Sequence, residues 1–159
     1  MYSSKPETQK HIDDVSKALT NICAQLVKRA EEHDKSKMKM PELKYFNKYT
    51  PLLKTLKYGS KEYQDSLNAL KPALEHHYKH NRHHPEHWQN DSVNTHPQGD
   101  RIACMNLIDI IEMFCDWWAA SKRTKDGNLK DSIEISCKRF DVSPQLRQIF
   151  INTANDLEL

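Results

Sequence analysis

Apolar residues recur along this chain at helical intervals. Ile12, Val15, Leu19, Ile22 and Leu26 follow at steps of 3, 4, 3 and 4, which predicts an amphipathic helix from about Pro6 to about Arg29, with Ser4-x-x-Glu7 ahead of it as a capping box. Pro41 suits the start of a short helix carrying Leu43, Tyr45 and Phe46, and Thr50-Pro51 the start of another brief turn. Gly59-Ser60 ends that turn, and Ser60 is placed to cap a helix with Tyr63, Leu67, Leu70 and Leu74 on one stripe. Pro72 falls inside that stripe and predicts a kink or restart. The polar run 90–99 predicts a loop, the most mobile part of the chain. The most apolar pattern, from about Asp100 to Ser121, predicts a central helix. Lys125-Asp126-Gly127-Asn128 predicts a turn before a helix ending near Phe140, and Ser143-Pro144 opens a last helix to about Leu157. The expected fold is all-α, a compact single-domain bundle of about six helices over residues 1–159.

Composition narrows the function classes. With 24 Lys and Arg against 22 Asp and Glu the formal charge is +2, too balanced for a protein that holds nucleic acid chiefly by charge. No apolar run approaches the length of a membrane span, and the N-terminal stretch lacks the apolar core of an export signal, so no membrane partner is expected and the expected location is cytoplasmic. The four cysteines form no C-x-x-C pair and are expected to be reduced, mostly buried thiols. Three glycines in 159 residues exclude a glycine-rich phosphate loop and a dinucleotide fold.

Histidine carries the candidate chemistry. Six of the nine histidines (His76, His77, His80, His83, His84, His87) fall within twelve residues. Imidazole is the commonest metal ligand and titrates near neutrality, so such density points to metal binding or acid–base work. On a helix His76/His80 and His80/His84 are neighbours one turn apart, and His77/His84 lie two turns apart on one face. Asn81-Arg82 and Pro85 place the end of the helix inside the cluster, so helix and loop can both present ligands. Not all six can ligate together, because consecutive helical residues point about 100° apart.

Two further signals lie elsewhere. His33-Asp34 is followed by Lys37. In the central helix Asp109, Glu112 and Asp116 stand at spacings of 3 and 4, on one narrow arc among apolar residues. They read either as a solvated strip or as interior carboxylates that need partners, with Asp109 the candidate ligand and Asp116, two turns on, outside the site. Trp88 and Trp117-Trp118 read as core or rim packing, and the last helix, with Leu146, Ile149, Phe150 and Ile151, as packing or a homodimer face.

The order His11, His33-Asp34-x-x-Lys37, His76-His77, His83-His84, Asp109 resembles the HD-domain metal-dependent phosphohydrolases. That resemblance implies an all-helical HD-like domain, a His-Asp pair on a helix, a further histidine before it and an aspartate on a later helix. The H-D-x-S-K run is similar to the H-D-x-G-K of signalling-nucleotide phosphodiesterases, with Ser36 in place of glycine, and Asn81-Arg82 replaces the acidic-glycine pair of their second histidine motif. The whole sequence, with H-D-x-S-K, Y-G-S-x-E-Y and H-H-Y-x-x-N-x-H-H-P-E-H, also looks like a family of bacterial and phage proteins without an established activity, which would place it in a bacterium or an infected host cell.

In the scheme the resemblance implies, Asp34 bridges two cations while His33, His77, His84 and Asp109 complete their shells, with His76, His83 and His11 as further candidates. Lys37, one turn after Asp34, and Arg82 are the candidate phosphate contacts. Mixed nitrogen and oxygen ligation suits one or two Mn, Fe, Co, Ni or Zn ions rather than Ca or Mg. His11 and His33 are 22 residues apart with no Gly or Pro between them. On one straight helix that is about 33 Å, so either the helix breaks near Ala30 or His11 is no ligand. The expected function is hydrolysis of a nucleotide or other small, including cyclic, phosphate ester by metal-activated water. The alternatives are a di-iron oxygenase and a helical binding or inhibitor protein with a structural or regulatory metal.

Overall fold

The structure is a computed structural model and describes residues 2–56, 60–90, 101–123 and 127–158. The predicted loop lies outside them from residue 91 to residue 99, as do Gly59, Lys125 and Asp126. All regular elements among the described residues are helical. They are α1 (Lys5–Glu32), α2 (Glu42–Thr55), α3 (Lys61–His80), α4 (Leu107–Ser121), α5 (Leu129–Phe140) and α6 (Pro144–Asp156), with short 3₁₀ helices at Lys35–Met38 and Pro85–Asn90. The all-α class and the six helices are those the apolar spacing predicts.

The chain groups into two compact units, residues 1–33 and 34–159. The first is α1, which buries none of its residues. Its predicted capping box does not form. Ser4 sits at helical angles (φ −78°, ψ −5°) and makes no side-chain cap, while Glu7 accepts a hydrogen bond from the Tyr2 hydroxyl instead. An extended N-cap conformation is what lets a serine oxygen reach back to the first turn, and Ser4 does not have it.

In the second unit α2 packs along α3. Pro51, expected to start a separate brief turn, sits inside α2, and Pro72, where a kink or restart is expected, sits inside α3, which runs through it without restarting. Each proline removes one backbone donor, and the surrounding turns hold the helix across it. Ser60 caps α3 by accepting from the Tyr63 N–H at 3.2 Å. The apolar core lies among α4, α5 and α6: Met113, Phe114 and Trp117 meet Leu129, Ile133 and Cys137 and the ring of Phe150. Trp88, Ile102 and Met105 close the same cluster, so Trp88 and Trp117 are core residues, as read. Phe114 stacks on Phe150 at 5.4 Å, and Trp117 meets the same ring edge-on at 5.5 Å. Cys137 is buried, but Cys23 and Cys115 are exposed, against the expectation of mostly buried thiols.

The central helix starts later than its apolar pattern suggests, at Leu107 rather than near Asp100. Asn106 and Asp109 form a complete capping box. The Asp109 N–H donates to Asn106 Oδ1 at 2.9 Å, and the Asn106 N–H donates to Asp109 Oδ2 at 3.1 Å. That reciprocal pair satisfies two otherwise orphaned donors and fixes the helix start. No helix of the described residues is long and apolar enough to cross a membrane.

Candidate metal centre

Three stretches of the second unit build the centre. The first is the segment from Asp34 to Glu42. Asp34 adopts a left-handed backbone (φ 56°, ψ 11°) and starts the 3₁₀ helix Lys35–Met38. Aspartate is among the few residues that enter this region at modest cost. The second is the end of α3. His77 lies in the last turn of α3 and is 1% exposed. Asn81 stops the helix, its side-chain amide donating to the His77 carbonyl at 2.7 Å and so satisfying one of the last carbonyls. The chain then folds back, with Trp88 Nε1 donating to the Arg82 carbonyl at 3.0 Å, and this turn carries His83 and His84 to the side of His77. The third stretch is the middle of α4, with Glu112 and Asp116.

These elements bring four donor groups together. Asp34, His77, His83 and His84 each offer a ligand atom, and the four atoms lie within 4.8 Å of one another. His77 Nε2 is 3.1 Å from Asp34 Oδ1 and 2.9 Å from His84 Nε2, and His83 Nε2 is 3.7 Å from the same Asp34 oxygen. The other carboxylate oxygen, Asp34 Oδ2, pairs with Lys37 Nζ at 2.6 Å. Asp116 also places an oxygen within 4.8 Å of an Asp34 oxygen.

Two carboxylates hold the histidine rings from behind. Glu42 is fully buried. Its Oε2 accepts from His77 Nδ1 at 2.9 Å and from the Ser36 hydroxyl at 3.0 Å, and its Oε1 accepts from His76 Nδ1 at 2.7 Å. Burial pushes the Glu42 carboxyl upward, but hydrogen bonds from His76 and Ser36 and the charge and hydrogen bond of His77 outweigh it, leaving the group below its ordinary value and ionised. His83 Nδ1 stands 3.0 Å from Glu112 Oε1 in the same relation. With Nδ1 turned to a carboxylate, His77 and His83 both direct Nε2 toward Asp34. His84 is held down to about 3 by burial and by His83 and His77, with Asp116 opposing, so it is neutral at physiological pH. Three imidazoles facing a carboxylate, two of them with their far nitrogens on buried carboxylates, are a donor set that fits a divalent cation.

Of the remaining sequence candidates, His33 and His11 belong to the first unit, and Asp109, Arg82 and His76 have partners of their own. His33 closes α1, its backbone N–H donating to the Arg29 carbonyl at 2.8 Å, and belongs to the 1–33 unit. His11 lies in the same unbroken helix. Because α1 does not break near Ala30, the two are about 33 Å apart and cannot share an ion, so His11 is withdrawn as a partner of His33. Asp109 is not among the clustered donors. It is fully buried, closes the capping box, and accepts from Arg82 Nε at 3.2 Å and Arg82 Nη2 at 3.0 Å. Arg82 stacks over Trp88 at 4.3 Å, so its guanidinium holds the fold rather than standing at the cluster as a phosphate contact. His76 turns its Nδ1 to Glu42 and stacks on His80 at 4.1 Å, a supporting position. Asp116, which sequence spacing set outside the site, stands beside Asp34 instead. Ser36 and Asn81 lie inside the H-D-x-S-K and H-H-Y-x-x-N runs without a role assigned there, and Glu42 carries no motif.

The depressed His84 gives a pH expectation. In the unfolded chain His84 titrates near 6.5, whereas in the fold it titrates near 3. Between those values the unfolded chain binds a proton that the folded site refuses. Above pH 6.5 the contribution is flat. As pH falls below it, the metal-free protein loses stability. Thermal midpoints of chelator-treated protein between pH 7.5 and pH 5 are expected to fall, and His84→Gln is expected to flatten that slope.

A partly buried aspartate among three histidines, carried by an all-helical chain, makes a candidate divalent-metal centre. The chain belongs to DUF5662, a family of unknown function, whose model matches residues 1–156. No curated protein and no solved structure matches it.

Proposed function

We propose that this chain is a metal-dependent phosphohydrolase acting on a nucleotide or another small phosphate ester, as the HD-domain resemblance implies. The observation that carries the proposal is the convergence of Asp34, His77, His83 and His84 on one point, beside a lysine. These residues, with Asp116, would hold one or two ions of the Mn, Fe, Co, Ni or Zn class. A bound divalent ion of this kind activates water and offsets charge on a phosphoryl group. The chain's own contribution is then threefold. Asp34 supplies negative charge at the point where three imidazoles meet. Glu42 and Glu112 keep two of those imidazoles turned inward. Lys37, with 30% of its side chain exposed, supplies a cation within reach of solvent-borne phosphate.

A second reading has its own support. His77 and His83 are each 1% exposed, and four protein donors are enough to close a structural site. That favours a binding protein with a regulatory ion. Elemental analysis and a panel of nucleoside mono-, tri- and cyclic phosphates, incubated with Mn-loaded protein, separate the two. One or two ions per chain and consumption of at least one panel member are expected, with Lys37→Met lowering turnover about 100-fold at unchanged metal content. Metal bound with no member consumed favours the binding protein, and no metal bound under any condition removes both.

A further inference from the structure

We propose that Glu42 and Glu112 are positioning residues, each fixing the tautomer and ring orientation of one histidine so that its Nε2 is the metal-binding nitrogen. This role presupposes that the cluster takes a metal ion, as proposed above.

The pairing is repeated on two separate elements. Glu42 begins α2 and faces His77 Nδ1 at 2.9 Å; Glu112 lies in α4 and faces His83 Nδ1 at 3.0 Å. Both carboxylates are withdrawn from solvent, Glu42 fully and Glu112 with 9% of its side chain exposed. A neutral histidine carries its proton on one nitrogen only. Were that proton on Nε2, the Nδ1 lone pair would face a buried carboxylate oxygen at hydrogen-bond distance. At His77 the Ser36 hydroxyl and the Asn81 amide also stand 3.0 Å from Nδ1, but each has another acceptor, Glu42 Oε2 and the His77 carbonyl. The carboxylates therefore favour Nδ1–H in both rings once a cation occupies the other side. There both Nε2 atoms are directed at Asp34 Oδ1, at 3.1 and 3.7 Å, and only an ion between lone pair and carboxylate makes the approach attractive.

Glu42 also reaches the carboxylate side of the centre. Its Oε2 takes the hydroxyl of Ser36, two residues after Asp34. Asn81 completes the brace by donating to Ser36 Oγ at 2.9 Å and to the His77 carbonyl. One buried side chain thus ties the turn bearing Asp34 to the helix bearing His77. The ligands are held in register before any ion arrives, which removes the ordering cost that binding would otherwise carry.

The test uses the full chain and two probes, Mn²⁺ and Zn²⁺. Long-range proton–nitrogen NMR spectra of the Zn²⁺-loaded wild type should show His77 and His83 in the Nδ1–H form. An Nε2–H form in both overturns the proposal without any variant having to fold. Titration calorimetry should then show Glu42→Gln and Glu112→Gln binding metal 10- to 100-fold more weakly than wild type. Glu42→Gln should shift the His77 tautomer and spare His83, and Glu112→Gln the reverse. A merely structural role would lower the melting temperature without this residue-by-residue split. Wild type that binds metal together with folded variants of unchanged affinity overturns the positioning role and leaves the metal site standing. Wild type that binds neither ion overturns the site, and this role with it.

Discussion

Asp34→Asn is expected to abolish the thermal stabilisation that Mn²⁺ confers on the wild-type protein. A ligand at about 100 times its dissociation constant stabilises the fold by about 2.7 kcal/mol, which for a chain of this size is a rise of roughly 5–10 °C. Asp34 supplies the formal negative charge of the four-donor cluster, since His77, His83 and His84 are imidazoles. Without that charge, the ammonium of Lys37, which pairs with Asp34 at 2.6 Å, is left uncompensated beside an incoming cation. Attraction is thereby exchanged for repulsion at short range, beside two imidazoles that are each 1% exposed. Asparagine is the informative replacement because it tolerates the left-handed backbone at this position, so the variant removes charge and leaves the turn intact. Differential scanning fluorimetry with and without Mn²⁺, checked by elemental analysis, reads the result. A shift equal to that of wild type would place the ion elsewhere.

Asp109 and Asp116 are expected to exchange the roles that their spacing suggests. Asp109→Ala should destabilise the protein by about 2–3 kcal/mol while leaving metal stoichiometry unchanged. The substitution removes three accepted hydrogen bonds, two from Arg82 and one from the Asn106 N–H, and dissolves the capping box of α4. The cost stays below that of breaking a fully buried ion pair because 43% of the Arg82 side chain is exposed and can be hydrated by water. Asp116→Asn should do the opposite, with a melting temperature close to wild type and metal affinity at least about tenfold weaker. Denaturant unfolding and metal titration on both variants decide the matter, and loss of metal from the Asp109 variant at full stability would reverse the assignment.

How much of this was legible in the chain depends on the range of the interaction. Helical periodicity is local, and it located all six helices, including the Asn128 and Ser143 starts of α5 and α6. Prolines misled it. A lone proline removes one donor and adds a local clash, and tertiary packing absorbed both at Pro51 and Pro72. The density of histidines pointed to a segment whose His77, His83 and His84 meet Asp34 as a cluster. Which carboxylate completes the centre was harder to see. Asn106-x-x-Asp109 has the spacing of a capping box, a local signal that accounts for Asp109 without any metal. Glu42 was not visible at all. Its partners His76 and His77 lie 34 and 35 residues away, and a single glutamate beside Pro41 looks like any first-turn acid. Only the packing of α2 on α3 makes it a buried acceptor.

The donors of the centre come from residues 34, 77, 83, 84 and 116, so the cluster is a late product of synthesis. A growing chain emerges from its N-terminus at several residues per second. Asp34 therefore waits for α3, and both wait for α4, before the set is whole. Until Glu112 and Asp116 appear, the exposed histidine run is an open, flexible chelator whose grip on metal is unselective. Any ion taken up at that stage must be released or reseated when α4 docks. On the metal-binding reading proposed above, the order of these donors along the chain makes selectivity a property of the finished fold, and the histidine-rich segment at the end of α3 the part of the nascent protein most exposed to capture by the wrong metal.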